Sequence, residues 1–410
     1  KISESPGADT EPSWSPDGKY IAYITVAEPE YFYYSIVKLA LFDFTGSKTR
    51  ILSESIDRNV KLPIFSHDGS SIYFNLEDSG QRHLANITLH DSKFTLVIKG
   101  NRKVDGHVVG QDGAVVARIS ETDMPSNLFV VEGNDIRHLT KHNDAYLKNI
   151  DLASVEKINF QSADGTEIEA FVYKPPDFSS MNRYPLILWI HGGPTSQFDF
   201  SFRFRAQLFA ANGYIVLLVN PRGSSGYGRD FQLDIWQSWG EKDLQDVLSG
   251  VEHLVQIGYA DPARLGVGGW SYGGILTNYV ITSSTRFKAA ISGASGALWA
   301  ANYGHDMYQR WYERELSLPW QNKAMYEHLS PFNKVDKIVT PTLWICGEKD
   351  WNVPVMNSEQ MYQAMKRLGR ETLLIVYPNE DHSIDTPKYV KHRFEQYINW
   401  FNKYLKDGSQ

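Results

Sequence analysis

Hydrophobic residues follow two different patterns along this chain of 410 residues. Up to about residue 150 they alternate with polar residues over short segments, a pattern that predicts half-buried β-strands. From Val155 onward, short apolar runs alternate with segments in which apolar residues recur every three or four positions. That second pattern indicates strands alternating with amphipathic helices. We therefore expect two domains, residues 1–150 and residues 151–410.

The N-terminal part contains a repeated segment. Residues 14–23 and 65–74 each place an Asp-Gly pair before an alternating strand, and residues 111–117 form a weaker third copy. Asp-Gly favours a hairpin turn, and a spacing of about fifty residues is typical of β-propeller repeats. We expect about three four-stranded blades, hence a partial β-propeller, with a compact β domain of another kind as the alternative. Because an open fan of blades would expose sheet edges, we also expect further blades N-terminal to this sequence.

The C-terminal part begins with a hairpin at Asp164-Gly165 and continues as an alternation of strands and helices. Six strands are predicted, at residues 186–190, 214–219, 265–268, 289–292, 342–346 and 373–377. Between the second and third of them, apolar residues from Leu244 to Val255 recur at helical spacing. Repeated strand-then-helix units predict an α/β fold with a doubly wound, mostly parallel sheet, whose functional residues lie beyond the carboxyl ends of the strands.

The sequence Gly269-Trp270-Ser271-Tyr272-Gly273 lies between a predicted strand and a predicted helix. This is the context of the G-x-S-x-G nucleophile elbow of an α/β-hydrolase domain, in which a sharp turn exposes the serine hydroxyl. Ser271 is therefore the candidate nucleophile. The alternative is a glycine-rich turn whose serine only caps the following helix.

An acid and a histidine are expected after the serine, in that order. Asp350 follows the strand 342–346 and is the candidate acid, with Glu348 as its competitor. His382 follows the next strand and is the candidate base, whereas His305 and His328 precede the acid and do not fit the order. These positions predict a Ser-Asp-His triad that acts through an acyl-enzyme.

Two backbone N–H groups are needed to stabilise the oxyanion. We expect one from Tyr272, directly after the nucleophile, and one from Gly192 or Gly193, in a loop after an early strand. A plain glycine turn is the alternative for that loop. The segment 220–228 either frames the site or only forms turns, and its glycines open no evident helix.

The composition excludes several other classes of function. The net charge is −7 with both signs interspersed, which gives no support for nucleic-acid binding, and no apolar run reaches the length of a membrane span. No zinc or phosphate-binding motif occurs in the sequence, so neither metal nor cofactor is expected. The single cysteine, Cys346, is predicted to be a packed core residue. We expect a soluble protein; its compartment, cytoplasmic or periplasmic or secreted, is left open, as is a homo-oligomer.

These motifs together resemble the prolyl oligopeptidase family of serine peptidases, in its acylaminoacyl-peptidase and dipeptidyl-peptidase branches. The resemblance implies a propeller that caps the hydrolase domain and admits short peptides. It also implies that Asn352 and Val353 line the substrate pocket, with Tyr272 beside the residue after which cleavage occurs. His191 occupies the position at which similar enzymes have a tyrosine that donates to the oxyanion. The glutamates that bind a free amino terminus in dipeptidyl peptidase IV belong to a propeller region that is not expected within this sequence.

The leading hypothesis is a serine exopeptidase or oligopeptidase that hydrolyses short peptides. A carboxylesterase is the alternative, because the same triad cleaves esters. A non-catalytic binding protein on a hydrolase scaffold is disfavoured, since binding alone requires no serine, acid and histidine in this order.

Overall fold

The computed structural model describes residues 3, 5–133 and 135–406, which form two compact units. The β unit comprises the described residues within 1–151 together with Gln197–Arg203 and Ser224–Leu233. The α/β unit comprises Leu152–Ser196, Phe204–Gly223 and the described residues from Asp234 onward.

The β unit contains three antiparallel meanders of four strands each among its described residues. The first consists of β1 (Asp9–Trp14), β2 (Tyr20–Val26), β3 (Val37–Asp43) and β4 (Lys48–Ile51). The second consists of β5 (Val60–Phe65), β6 (Ser71–Asp78), β7 (Gln81–Thr88) and β8 (Phe94–Ile98), and the third of β9 (Lys103–Val109), β10 (Val115–Glu121), β11 (Met124–Glu132) and β12 (Asp135–His138). The second and third meanders are joined by one parallel pairing, Arg82 with Lys103. This is the arrangement expected of three propeller blades.

The repeated Asp-Gly pairs connect the first strand of each meander to the second. Asp17, Asp68 and Asp112 each accept the backbone N–H two residues further on, at 3.1, 3.0 and 3.0 Å. The glycine that follows each aspartate has a positive φ, of 72°, 72° and 80°, which a residue with a Cβ rarely adopts. The sequence repeat therefore corresponds to one structural position in each blade.

The α/β unit is built on one eight-stranded sheet. Its strands are β13 (Ser154–Gln161), β14 (Glu167–Lys174), β15 (Tyr184–Ile190), β16 (Ile215–Asn220), β17 (Ala260–Trp270), β18 (Phe287–Gly293), β19 (Thr342–Gly347) and β20 (Thr372–Tyr377). They are ordered β13-β14-β16-β15-β17-β18-β19-β20. β13, β14 and β16 pair antiparallel, and every pair from β16 to β20 is parallel. All six predicted strands are present, and the sheet is mostly parallel as expected.

Most of the described helices lie in the α/β unit. The α-helices are α1 (Asp144–Leu147), α2 (Phe204–Ala211), α3 (Arg229–Leu233), α4 (Lys242–Gln256), α5 (Tyr272–Ser283), α6 (Trp299–Asn302), α7 (Gln309–Glu315), α8 (Lys323–His328), α9 (Met356–Arg367) and α10 (Pro387–Leu405); 3₁₀ helices run from Pro29–Tyr34 and Pro331–Lys337. The amphipathic pattern predicted α4, which buries Val247, Val251 and Leu254. The expectation that segment 220–228 opens no helix was wrong, because α3 begins directly after Gly228. A helix of only five residues, such as α3, is too short to show helical periodicity in the sequence.

Burial explains why the central strands are continuous apolar runs in the sequence. Every residue of β16 and of β19 is buried, as expected for parallel strands covered on both faces. Cys346 lies in β19 with no exposed surface, and burial raises the pKa of its thiol to about 12. It is the packed core residue that the sequence predicts. Among the described residues, no helix has both the length and the apolar character needed to cross a bilayer.

Candidate active site

Ser271 lies on a sharp turn between β17 and α5. Its φ of 61° and ψ of −126° are strained for a residue with a side chain. The flanking glycines make the turn possible: a Cβ on Gly269 would lie 2.3 Å from the backbone of Gly273, and a Cβ on Gly273 would lie 2.2 Å from the carbonyl oxygen of Ile190. The turn therefore has the geometry of a nucleophile elbow, and the two glycines are required for close backbone approach.

The backbone around Ser271 is fixed on both sides of the turn. Its N–H donates to the carbonyl oxygen of Gly293 at 2.9 Å, and its own carbonyl accepts the N–H of Ile275 at 3.0 Å. The first N–H groups of an α-helix such as α5 have no partner within the helix, and the helix dipole favours negative charge at this end. An oxyanion formed next to Ser271 would therefore lie in a favourable field.

Asp350 and His382 are hydrogen-bonded to each other. Asp350 lies just beyond β19 and His382 just beyond β20, and Asp350 Oδ2 is 2.8 Å from His382 Nδ1. The side chain of Asp350 has no exposed surface, whereas that of His382 is one-fifth exposed. The other carboxylate oxygen of Asp350 accepts the N–H groups of Asn352 and Val353, at 2.9 and 2.7 Å. The carboxylate is thus oriented so that one oxygen addresses the imidazole.

The competing candidates from the sequence have other partners. The carboxylate of Glu348 accepts the N–H of Asn379 at 2.9 Å. The ring of His305 packs edge-on against Trp351, and His328 Nε2 lies 3.2 Å from Glu241 Oε1. The structure therefore brings Asp350, rather than Glu348, to His382.

The loop that carries Gly192 and Gly193 lies against the nucleophile. A Cβ on Gly192 would be 3.4 Å from the Cβ and 4.0 Å from the Oγ of Ser271. Gly193 has a φ of 136°, and a Cβ there would be 2.8 Å from the N of Thr195. His191 Nδ1 is 2.8 Å from the carbonyl oxygen of Gly192. The backbone of this loop is therefore close enough to Ser271 to supply an oxyanion donor.

An aromatic pocket opens beside Ser271. Asn352, Val353 and Tyr272 belong to its lining. The remaining walls are mostly aromatic: Trp239, Trp299, Tyr308, Trp311 and Tyr312. Asp306 also lines the pocket, and its carboxyl group accepts the Tyr308 N–H at 2.8 Å and the Tyr312 hydroxyl. Burial raises the pKa of Asp306.

Two buried contacts of aspartates in α4 were not predicted from the sequence. The hydroxyl of Tyr272 donates to Asp243, in the first turn of α4, and Asp243 also accepts the Gly240 N–H at 2.9 Å. Burial raises the pKa of Asp243 to about 6. At the end of β16, Arg222 Nη2 contacts Asp246 Oδ1 at 2.7 Å, and both side chains are buried. Only the unusual occurrence of two aspartates on the apolar face of α4 could have drawn attention to them.

The segment 220–228, for which the sequence left two roles open, divides between the two units. Residues up to Gly223 belong to the α/β unit and those from Ser224 to the β unit. Its arginine, Arg222, is held by the buried ion pair at the end of β16. Within the described part of the chain, no cluster of three potential metal-ligating side chains occurs.

A profile of the prolyl oligopeptidase family matches residues 200–408, just over half of the chain. The chain belongs to the prolyl oligopeptidase family. This confirms the resemblance inferred from the motifs.

Individual relatives extend the match into the β unit. An uncharacterized peptidase of Bacillus subtilis, YuxL, is 28% identical over 92% of this chain and 61% of its own length. Dipeptidyl-peptidase 5 of Porphyromonas gingivalis is 28% identical over 98% of this chain and 60% of its own length. The chain thus spans about three-fifths of the length of these curated relatives.

A solved structure agrees with the fold. Pyrococcus horikoshii acylaminoacyl peptidase is 27% identical and superposes with a TM-score of 0.88, over 95% of this chain and 62% of that one. The expected fold class, an α/β-hydrolase domain preceded by a partial β-propeller, is confirmed. The division at residues 150 and 151 stays a prediction.

Proposed function

We propose that this protein is a serine peptidase that hydrolyses short peptides through Ser271, His382 and Asp350. One observation carries the proposal: His382 and the buried Asp350 are hydrogen-bonded at 2.8 Å. Each of them follows one of two consecutive strands, and both come after the strained turn at Ser271 in the sequence. A serine, an acid and a histidine in this chain order are the parts of an acyl-transfer site. Membership of the prolyl oligopeptidase family supports peptides as the substrates.

In the proposed mechanism, Ser271 Oγ attacks the carbonyl carbon of the scissile peptide bond while His382 Nε2 takes the hydroxyl proton. Asp350 holds the imidazole in the tautomer that leaves Nε2 free to accept, and it stabilises the imidazolium. His382 then gives the proton to the leaving amine, which produces an acyl-enzyme on Ser271. Water, activated by the same imidazole, hydrolyses that ester and restores the serine.

The oxyanion would be stabilised by two backbone donors. The N–H of Tyr272 is one, because it follows the nucleophile at the start of α5. The second is the N–H of Gly192 or Gly193, whose loop lies against Ser271. Backbone donors of this kind need no tyrosine hydroxyl at the position of His191.

The aromatic pocket supplies the site for the residue before the scissile bond. Asn352 and Val353 are tied to Asp350 through their backbone N–H groups, so the proposed substrate pocket and the proposed acid share one loop. Two of the relatives are named a dipeptidyl-peptidase and an acylaminoacyl peptidase. We infer short peptides as the substrate class of this protein.

A panel of chromogenic substrates tests the proposal: acyl-alanyl, Gly-Pro and Ala-Ala anilides beside a short-chain ester. Hydrolysis of at least one anilide is expected. Hydrolysis of the ester alone would contradict the peptidase assignment and support a carboxylesterase.

The variant Ser271→Ala should lower kcat by about 10⁴-fold or more while leaving the melting temperature unchanged. A fluorophosphonate probe should label the wild-type protein and not the variant. Ser284→Ala, at the partly exposed residue that follows α5, is the matched control and should retain both activity and labelling. If Ser271→Ala retained a tenth of the wild-type activity, the assignment of Ser271 as the nucleophile would be wrong.

A further inference from the structure

Trp270, the residue before Ser271, is bonded directly to the loop that carries His382. Its indole Nε1–H donates to the main-chain carbonyl oxygen of His382 at 3.0 Å. The two residues are separated by 112 positions in the sequence. This hydrogen bond therefore joins the last residue of β17 to a loop that follows β20, three strands away in the sheet order.

The indole ring is fixed by two further elements. Gly293, the last residue of β18, lies under the ring, and a Cβ there would be 2.3 Å from Trp270 Cε3. Arg393 of α10 places its guanidinium 5.3 Å from the ring centroid, within the range of a cation–π contact. A side chain held from below by a glycine and covered by an arginine has little freedom to reorient its N–H.

Three polar contacts of His382 act on different parts of the residue. Asp350 contacts the imidazole, at Nδ1, and therefore sets the rotation of the ring. The backbone N–H donates to Asp381 of the same loop at 2.7 Å. The contact from Trp270 connects the main chain of His382 to the strand that leads into the nucleophile. This bond thus links the loop of His382 directly to the strand that ends just before Ser271.

We propose that Trp270 is a positioning residue, whose indole N–H holds the main chain of His382 at the distance from the Ser271 elbow that proton transfer requires. The inference rests on the proposed function, since it gives Trp270 a role in the same reaction. Proton transfer depends steeply on donor–acceptor geometry, and a displacement of about 1 Å can cost about 100-fold in rate. Trp270 itself takes no part in the chemistry.

The variant Trp270→Phe tests this role, because phenylalanine retains an aromatic ring and removes the N–H. Trp344→Phe is the matched control: Trp344 is fully buried, and its Nε1 donates to Thr372 Oγ1 at 2.9 Å, within β19 and β20. Both variants lose one indole hydrogen bond of nearly equal length. We expect Trp270→Phe to lower kcat about tenfold with KM unchanged, and Trp344→Phe to leave both constants unchanged.

A second measurement needs no turnover. The proton shared by His382 Nδ1 and Asp350 should give a low-field NMR resonance, which we expect to broaden or shift in Trp270→Phe and to stay unchanged in Trp344→Phe. Equal kcat values and equal spectra for the two variants would overturn the inference. A rise in KM at constant kcat would also overturn it, because the indole would then contact substrate. If the wild-type protein hydrolysed none of the substrates, the proposed function would fail, and the spectra alone would decide the role of Trp270.

Discussion

Two turn aspartates of the β unit and two buried aspartates of the α/β unit differ in how far along the chain their hydrogen-bond donors lie. Asp17 and Asp68 lie in turns and accept hydrogen bonds from residues no more than two positions away. Asp350 and Asp243 are buried, and they accept hydrogen bonds from His382 and Tyr272, which are 32 and 29 positions distant. The first pair shapes a local turn, whereas the second pair connects separate elements of the fold.

The two environments have opposite effects on acidity. The pKa of Asp17 is lowered to about 2, mainly because the backbone N–H of Lys19 donates to its carboxylate. The pKa of Asp68 is also lowered to about 2, mainly because the hydroxyl of Ser66 donates to it. Burial raises the pKa of Asp243 to about 6. Asp17 and Asp68 are therefore stabilised as anions in their solvent-exposed turns, while the buried Asp243 is charged at a cost in free energy. If this comparison holds, mutations should affect catalysis and stability very differently in the two units.

The largest effect is expected for Asp350→Asn. The amide keeps the shape of the side chain but cannot stabilise the imidazolium of His382, so kcat should fall by about 10⁴-fold. The melting temperature should change little, because the amide oxygen can still accept the N–H groups of Asn352 and Val353. Steady-state kinetics on the most reactive anilide measure the change.

Glu348→Gln is the matched control for that variant, since Glu348 follows the same strand and its carboxylate accepts the backbone N–H of Asn379 rather than a proton from His382. It should retain kcat within about twofold. A larger loss for Glu348→Gln than for Asp350→Asn would reverse the assignment of the acid.

Much of the architecture could be predicted because its determinants are local in the sequence. The Asp-Gly turns carry their own hydrogen bonds, so the three repeats at Asp17, Asp68 and Asp112 can be recognised from the amino acids alone. The elbow at Ser271 can be recognised for the same reason, because its glycines lie within two residues of it. Strand order along the chain was sufficient to pair Asp350 with His382, which the structure places 2.8 Å apart.

Contacts between distant positions could not be predicted. The bond from Trp270 to His382 and the bond from Tyr272 to Asp243 connect residues whose proximity is decided by the packing of helices and strands. No property of a single segment indicates such a partner. The short helix α3 was missed for a different reason, because five residues give no helical periodicity to detect.

An intermediate effect is expected for Asp243→Asn, and it should be visible in stability as a function of pH. Asp243 has a folded-state pKa of about 6 against an ordinary 3.8, so folding favours its protonated form. Its contribution to stability is therefore fully present below about pH 4 and is lost as the pH rises through 6. The change amounts to about 3 kcal/mol at most. Asparagine keeps an oxygen for the N–H groups of Gly240 and Leu244, and it can donate to the Tyr272 hydroxyl.

Thermal unfolding from pH 4 to pH 8 measures this effect. The difference in melting temperature between Asp243→Asn and the wild type should shift in favour of the variant as the pH rises through 6. A difference that is constant over this range would show that Asp243 titrates in the folded protein as it does in an unfolded chain. The contrast in acidity between Asp243 and the turn aspartates Asp17 and Asp68 would then be wrong.

The smallest effect is expected for Asp68→Ala in the second blade. Its carboxylate accepts from Ser66 and Ser70, both in its own exposed turn, and Gly69 retains the backbone conformation that the turn requires. Because the pKa of Asp68 is lowered to about 2, any stabilisation is present above pH 4 and is lost as the pH falls through 2. At neutral pH the variant should melt within a few degrees of the wild type and hydrolyse the anilides at the same rate.

Asp17→Ala, the equivalent change in the first blade, should behave in the same way. A large loss of kcat in either variant would mean that the turn aspartates act beyond their own turns, and the distinction between local and long-range aspartates would not hold.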